Sequence, residues 1–299
     1  NGFSFPKCTK PSKKKNIFAS ADDLIGNVYL RILFWLVGAF AFLGNSFVFL
    51  RTVAKYTRTG NQSVKQGFRW LILNLSLSDC LMSIYLIAIS IQGVIYRSRY
   101  SSAHDLIWRS GKTCQMFGVL ALTSSEASAF IMVTMTSFRL AAVCFPFKME
   151  NARQIWYRIS TTIAWLFAIL TFRNTKITGE FGYFGSTSVC MPNIFSTLED
   201  EAWEFSMFLI ILNFLLFIYM AICYLVIYKI NSNPHRRQEG RKLKKRISIL
   251  VATDFCCWVP VCVMACVSFN GTRLDPTAYI VSAGFLLPIN SALNPIIYS

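Results

Sequence analysis

The sequence predicts an all-α membrane protein, a bundle of seven transmembrane helices. Three observations predict it. Of 299 residues, 54% are hydrophobic and only 15% charged, with a mean hydropathy of +0.46; soluble domains carry about 25% charged residues. Seven apolar runs lie at roughly 28–50, 70–95, 114–145, 155–172, 203–230, 245–269 and 277–298. Each is long enough to cross a hydrocarbon core of ~30 Å, which takes about 20 helical residues. Finally, Lys and Arg are segregated into alternate connections between the runs.

Taken in order, the first run stops at Arg51 and is followed by Lys55, Arg58, Lys65 and Arg69 before the second begins. The third run is followed by Lys148, Arg153 and Arg158, and the fifth by Lys229, Arg236, Arg237, Arg241, Lys242, Lys244, Lys245 and Arg246. The even connections hold far fewer basic residues and most of the loop acids. Cytoplasmic loops collect Lys and Arg, so the odd connections face the cytoplasm. An odd number of spans then places the N-terminus outside and the C-terminus in the cytoplasm of a multi-pass plasma-membrane protein. Residues 1–27 read as an extracellular juxtamembrane tail, the end of a missing ectodomain, since the chain starts at Asn1 without a signal-peptide pattern. Residues 28–299 read as the transmembrane domain.

The formal net charge of +16 is clustered rather than spread. No RNA-binding signature, zinc spacing or phosphate-binding Gly loop accompanies it, so no nucleic-acid partner is expected. No enzyme is expected either, because His104 and His235 fall in loops on opposite sides of the membrane. A transporter would favour inverted repeats, and none is evident.

Of ten cysteines, seven fall within spans and read as small apolar fillers. Cys8, Cys114 and Cys190 fall on the outer, oxidising side, where a Cys114–Cys190 bridge would tie the second outer loop over the bundle. Two free thiols are the alternative. Cys8 then pairs outside this sequence.

Polar groups at membrane depth are Asp79, Glu126, Asp254 and Arg139, with Asn45, Asn74, Ser128, Asn213, Asn290 and Asn294. A charge at mid-bilayer costs about 2.5–3.5 kcal/mol, so these side chains must face inward. Interhelical hydrogen bonds account for Asn74 and Asn45; an acid is a costly way to obtain one, which leaves Asp79 and Asp254 as functional candidates. Asp254 and Trp258 are four apart and share a helix face, as do Asn290 and Asn294. Pro260 and Pro295 free the carbonyls of Cys256 and Ser291. Two proline-bearing helices with polar inner faces suit a two-state element.

Gly44-Asn45, "NLSLSDCL" (74–81), Trp165, "CWVP" (257–260) and "NPIIY" (294–298) together resemble rhodopsin-class G-protein-coupled receptors over residues 28–299. More narrowly, "DDLIGNVYLRILFW" (22–35), "SSEAS" (124–128), "TDFCCW" (253–258) and "LPINSALNPIIY" (287–298) are similar to the leucine-rich-repeat-bearing glycoprotein-hormone and relaxin receptor group. Trp258 and the "SALNP" wording lean to the relaxin side.

The resemblance implies a transmembrane domain carrying an extracellular peptide or protein hormone signal, received by a leucine-rich-repeat ectodomain, to a heterotrimeric G protein. Asp79, Ser128, Asn290 and Asn294 match the family's inner polar pocket, where a sodium ion can sit on Asp79; no other cofactor is implied. Asp254 matches a helix-6 acid expected to latch onto Asn290 or Asn294. Trp258 is the bulky side chain under the outer cavity, Pro260 the hinge, and Tyr224 and Tyr298 the tyrosines that swing inward, with Asn294-Pro295 as the helix-7 switch. Arg139 is the G-protein contact. Lys242, Lys244 and Lys245 serve as G-protein contacts, as anionic-lipid contacts, or both. One departure stands out: Phe138 occupies the place of the usual acid before Arg139, which predicts a less restrained arginine and raised basal activity or altered coupling. The competing reading is a receptor for a small ligand within the bundle. A photopigment is excluded by the absence of lysine in 277–299, and an amine receptor by Ala121 where an acid is needed.

Overall fold

The computed structural model describes residues 18–20, 22–58, 63–150, 154–173, 184–191, 203–230, 241–270, 272 and 286–298. Several side chains inside the described helices, including those of Lys242, Lys244, Lys245, Asp254 and Tyr298, lie outside that description, as does Cys8.

Among the described residues the chain forms α1 (Val28–Arg58), α2 (Ser63–Ile95), α3 (Ser102–Ser110), α4 (Lys112–Cys144), α5 (Pro146–Glu150), α6 (Gln154–Arg173), a 3-10 turn (Phe184–Ser186), α7 (Trp203–Ile230), α8 (Arg241–Phe269) and α9 (Leu287–Tyr298). Helices α1, α2, α4, α6, α7, α8 and α9 are the seven spans. Four of them, Val28–Thr57, Lys65–Ile95, Lys112–Cys144 and Trp203–Ile230, are long and apolar enough to cross a bilayer on length and hydropathy alone. Within 277–298, the last expected run, residues 277–285 lie outside the described residues.

The spans are helical because hydrocarbon offers no partner to backbone N–H and C=O groups, which only intrahelical bonds then satisfy. Sequence periodicity decides which face turns inward. On α1, Phe34, Val37, Ala41, Asn45, Val48 and Thr52 are buried, whereas Leu36, Phe40, Leu43, Phe47 and Leu50 are exposed. Both sets repeat every three or four residues, so one stripe meets the bundle and the other meets lipid. Of the span cysteines, Cys223, Cys257 and Cys262 are buried as expected of fillers, but Cys256 and Cys266 are exposed on α8.

Helix α4 is the axis of the bundle, touching α2, α6 and α7, while α1 and α8 each pack on α9. At 33 residues it is about 50 Å long, longer than the ~30 Å of a hydrocarbon core. The half of the core that holds Cys114 and Cys190 gathers Phe34, Tyr85, Leu86, Ile89 and Trp108. The other half gathers Leu71, Ile131, Met135, Tyr157 and Trp258.

Helices α3 and α5, in the first outer and second inner connections, are short elements outside the seven expected runs. Helix α3 starts on Ser101, whose hydroxyl caps the His104 N–H. Residues 18–27, expected as a juxtamembrane tail, are partly built into the bundle: Phe18, Leu24 and Ile25 are buried.

Candidate functional site

Two polar centres and a covalent cap occupy the interior. The deeper centre is built on Asp79 of α2, which is 1% exposed. Its Oδ1 accepts from Ser128 Oγ of α4 at 3.2 Å and from Ser291 Oγ of α9 at 3.0 Å. Its Oδ2 accepts from Asn294 Nδ2 at 2.7 Å. One carboxylate thus ties three spans, and charge-assisted bonds of this kind are about twice as strong as neutral ones.

A second bond locks α1 onto the same place. Pro295 has no N–H to offer the Ser291 carbonyl one turn earlier, and Asn45 Nδ2 donates to that carbonyl at 2.7 Å. Close approach makes this possible: Gly44 faces the Pro295 ring, and a Cβ added there would stand 2.9 Å from its carbons.

The sequence-expected set is therefore brought together with one exchange. Ser128 and Asn294 bond Asp79, but the third donor is Ser291 rather than Asn290. Asn290 is buried nearby with its Oδ1 unpartnered among the described residues. Serine 291 was missed because a hydroxyl in an apolar helix reads as a bond to its own preceding turn. Its spacing of three from Asn294, on the same helix face, was the available signal. Asn74 behaves as a structural asparagine, accepting from Trp165 Nε1 at 3.1 Å.

Asp79's carboxylate and the Ser128 and Ser291 hydroxyls gather hard oxygen atoms of the kind that suit a hard cation. Among the described residues no cluster of three His, Cys, Asp or Glu side chains offers a transition-metal site.

The second centre lies nearer the outside. Glu126 Oε1 accepts from Asn213 Nδ2 of α7 at 2.9 Å, while Glu126 Oε2 and Asn213 Oδ1 are buried without hydrogen-bond partners among the described residues. Both line a cavity of about 40 Å³ together with Met82, Leu122, Met191 and Trp258. Trp258 packs on Phe217 at 5.5 Å.

Above the cavity sits the cap. Cys114 of α4 and Cys190 are joined by a disulfide with Cα atoms 5.3 Å apart. Three outer elements converge beside it. Trp108 Nε1 donates to Ser188 O, Tyr85 Oη to Val189 O, and Ser188 Oγ to Leu24 O, at 2.7, 2.7 and 2.9 Å. Arg109 donates to Asp105 and to Gly185 O. Arg31 donates to Asp23 and to Ile25 O. The backbone N–H of Ser98, which holds a left-handed φ of 55°, donates to Asp23 Oδ1 at 2.9 Å. That N–H, with Arg31, holds the Asp23 carboxyl below its usual value.

At the opposite end, Tyr224 Oη lies 3.4 Å from Thr136 Oγ1. Arg139 on the last turns of α4 has no acid before it; its guanidinium stands 5.6 Å from the Phe68 ring centroid. An aromatic neighbour thus stands beside Arg139, which sequence spacing alone does not reveal. Pro260 and Pro295 lie inside α8 and α9. The latch assigned to Asp254, the swing of Tyr298 and the roles of Lys242, Lys244 and Lys245 fall on side chains outside the described set.

Seven membrane-crossing helices tied at one end by a disulfide and joined inside by buried polar contacts define a polytopic helical membrane protein. Residues 44–298 match the model of the 7 transmembrane receptor (rhodopsin family), and the chain belongs to that family. It is similar to G-protein coupled receptor GRL101 of Lymnaea stagnalis, 33% identical over 98% of this chain and 26% of that protein. It is also similar to the lutropin-choriogonadotropic hormone receptor of Bos taurus, 27% identical over 100% of this chain and 42% of the relative. Relaxin receptor 2 of Homo sapiens is 28% identical over 94% and 38%. The chain spans well under half the length of these relatives.

Proposed function

We propose that this chain is the transducing membrane domain of a receptor for an extracellular peptide or protein hormone, coupled to a heterotrimeric G protein. The observation that carries it is the Asp79 junction: one buried carboxylate holds α2, α4 and α9, and Asn45 adds α1. Such a junction has two discrete conditions, made and broken, and a ligand acts by differential affinity for them. The similarity to hormone receptors across nearly the whole chain supports the class of signal. The leucine-rich-repeat ectodomain, the outward N-terminus, the sodium ion on Asp79 and the Asp254 latch belong to the same proposal. So do the contacts of Arg139 with the G protein and of Lys242, Lys244 and Lys245 with the G protein or anionic lipid.

The test is guanine-nucleotide exchange by purified heterotrimeric G proteins on lipid nanodiscs carrying the chain. Exchange above that of empty discs, lost in Arg139→Ala, supports the reading. Equal exchange in loaded and empty discs across the G-protein classes refutes it.

The second reading, a small ligand held within the bundle, is favoured by the two unpartnered oxygens of Glu126 and Asn213. The cavity's size opposes it. About 40 Å³ is room for roughly three waters, whereas drug-sized ligands take about 300 Å³ or more. Leucine-rich repeats encoded upstream of Asn1 support the hormone reading, and a short tail there refutes it.

A further inference from the structure

Arg139 stands at the cytoplasmic end of α4 without a carboxylate before it, beside a cluster of three aromatic rings. Phe68 of α2 lies beneath the guanidinium, 5.6 Å from Cζ to the ring centroid. Phe68 meets the Tyr157 ring of α6 edge-on at 6.0 Å. Phe138, the residue in the acid's place, stacks on Tyr157 at 4.1 Å and 23°. One guanidinium nitrogen, Nη1, and the Tyr157 hydroxyl are both buried without hydrogen-bond partners among the described residues. Gly67 permits the arrangement, since a Cβ there would overlap the Tyr157 ring.

Arg139 is half-buried, and a cation partly withdrawn from water needs compensation; among the described residues none comes from an anion or through Nη1. What faces it is the negative face of an aromatic ring, whose attraction for a guanidinium grows as water is excluded. We propose that Phe68, fixed by the Tyr157–Phe138 stack, replaces a carboxylate as the restraint that holds Arg139 in the resting bundle. Phe138 is then a positioning residue: it acts on Arg139 through Tyr157 and Phe68 rather than by touching it. The substitution that removes the acid also supplies the stack that orients its replacement.

The placement of Arg139 stands on this geometry; its effect on signalling rests on the receptor reading above. The two are separable by experiment. In the full chain, Phe68→Leu keeps apolar volume and removes the ring quadrupole, while Phe68→Trp strengthens it. A double-mutant cycle of Phe68→Leu with Arg139→Gln, read by thermal unfolding of the purified protein, measures the contact without any G protein. The expected result is non-additive loss, with coupling equal to about a 3- to 30-fold change in equilibrium constant. In parallel, Phe68→Leu raises basal nucleotide exchange by a similar factor and Phe68→Trp returns it to the parent level or lower. Phe138→Leu shifts exchange in the same direction as Phe68→Leu, and Phe138→Tyr, which keeps a ring to stack, restores it. Additive melting shifts overturn the restraint, as does identical behaviour of the Leu and Trp variants. Coupling in the melting cycle with exchange flat in every variant upholds the restraint and removes the receptor reading instead.

Discussion

Replacing Asn45 by alanine tests how a proline-broken helix is held in this bundle. Asn45 is 1% exposed, and its amide donates to Ala41 O at 2.9 Å and Ser291 O at 2.7 Å. The Ala41 carbonyl lies within α1, where the backbone N–H four residues on is available to it, so its loss is small. The Ser291 carbonyl is different, because Pro295 supplies no N–H. Without Asn45 that acceptor is buried and unpaired, at a cost of about 1–3 kcal/mol, in line with interhelical hydrogen bonds in membranes of up to about 2 kcal/mol. At roughly 2–4 °C per kcal/mol, a loss of about 2 kcal/mol lowers the melting temperature by about 4–8 °C. The assay is thiol-dye thermal unfolding of the purified protein. The decisive control is Pro295→Ala, which restores an N–H one turn beyond Ser291. In that background Asn45→Ala is expected to cost less than half as much. A shift below about 1 °C, or equal shifts in both backgrounds, refutes the idea that Asn45 serves the carbonyl freed by the proline.

Other outcomes follow from the same contacts. Sodium is expected to raise the melting temperature over an equal concentration of a bulky organic cation, and Asp79→Ala to abolish the difference; matching curves for the parent in both salts dismiss the ion. Asp254→Asn is expected to raise ligand-independent second-messenger levels at matched surface expression, and unchanged levels reject the latch. Because Asp23 is held below its ordinary value of 3.8, its contribution to stability is fully present above that value and fades as pH falls through the lower, folded-state one. The melting-temperature gap between the parent and Asp23→Asn is therefore present near about pH 6 and closes towards about pH 2; a gap constant over that range shows that Asp23 contributes nothing through its charge.

Legibility in the sequence divides along a physical line. The spans were readable because hydrocarbon imposes one rule on every residue of a crossing helix, and the alternation on α1 repeats it turn by turn. Asp79, Asn294 and the freed Ser291 carbonyl were readable because a buried acid or a missing N–H creates a demand at a fixed position. How the demand is met was not: the Asn45 donor is remote in sequence, and the Ser291 hydroxyl reaches Asp79 from another span, which no residue type announces. Phe138 stood out in the sequence only as a missing acid, and nothing marked Phe68 or Tyr157, since attraction between a ring and a cation leaves no signature beyond the residues themselves. Helix α3 was missed for another reason: it is short, amphipathic and outside the hydrocarbon, where only its Ser101 cap marked a start.

The lacing of residues 18–27 into the outer end has a mechanical consequence. The Leu24 carbonyl accepts one hydrogen bond from Ser188, and two residues later comes Cys190, whose sulfur is bonded to α4. Leu24 is thereby one hydrogen bond and two residues away from the bundle's central rod, rather than on a loose tether.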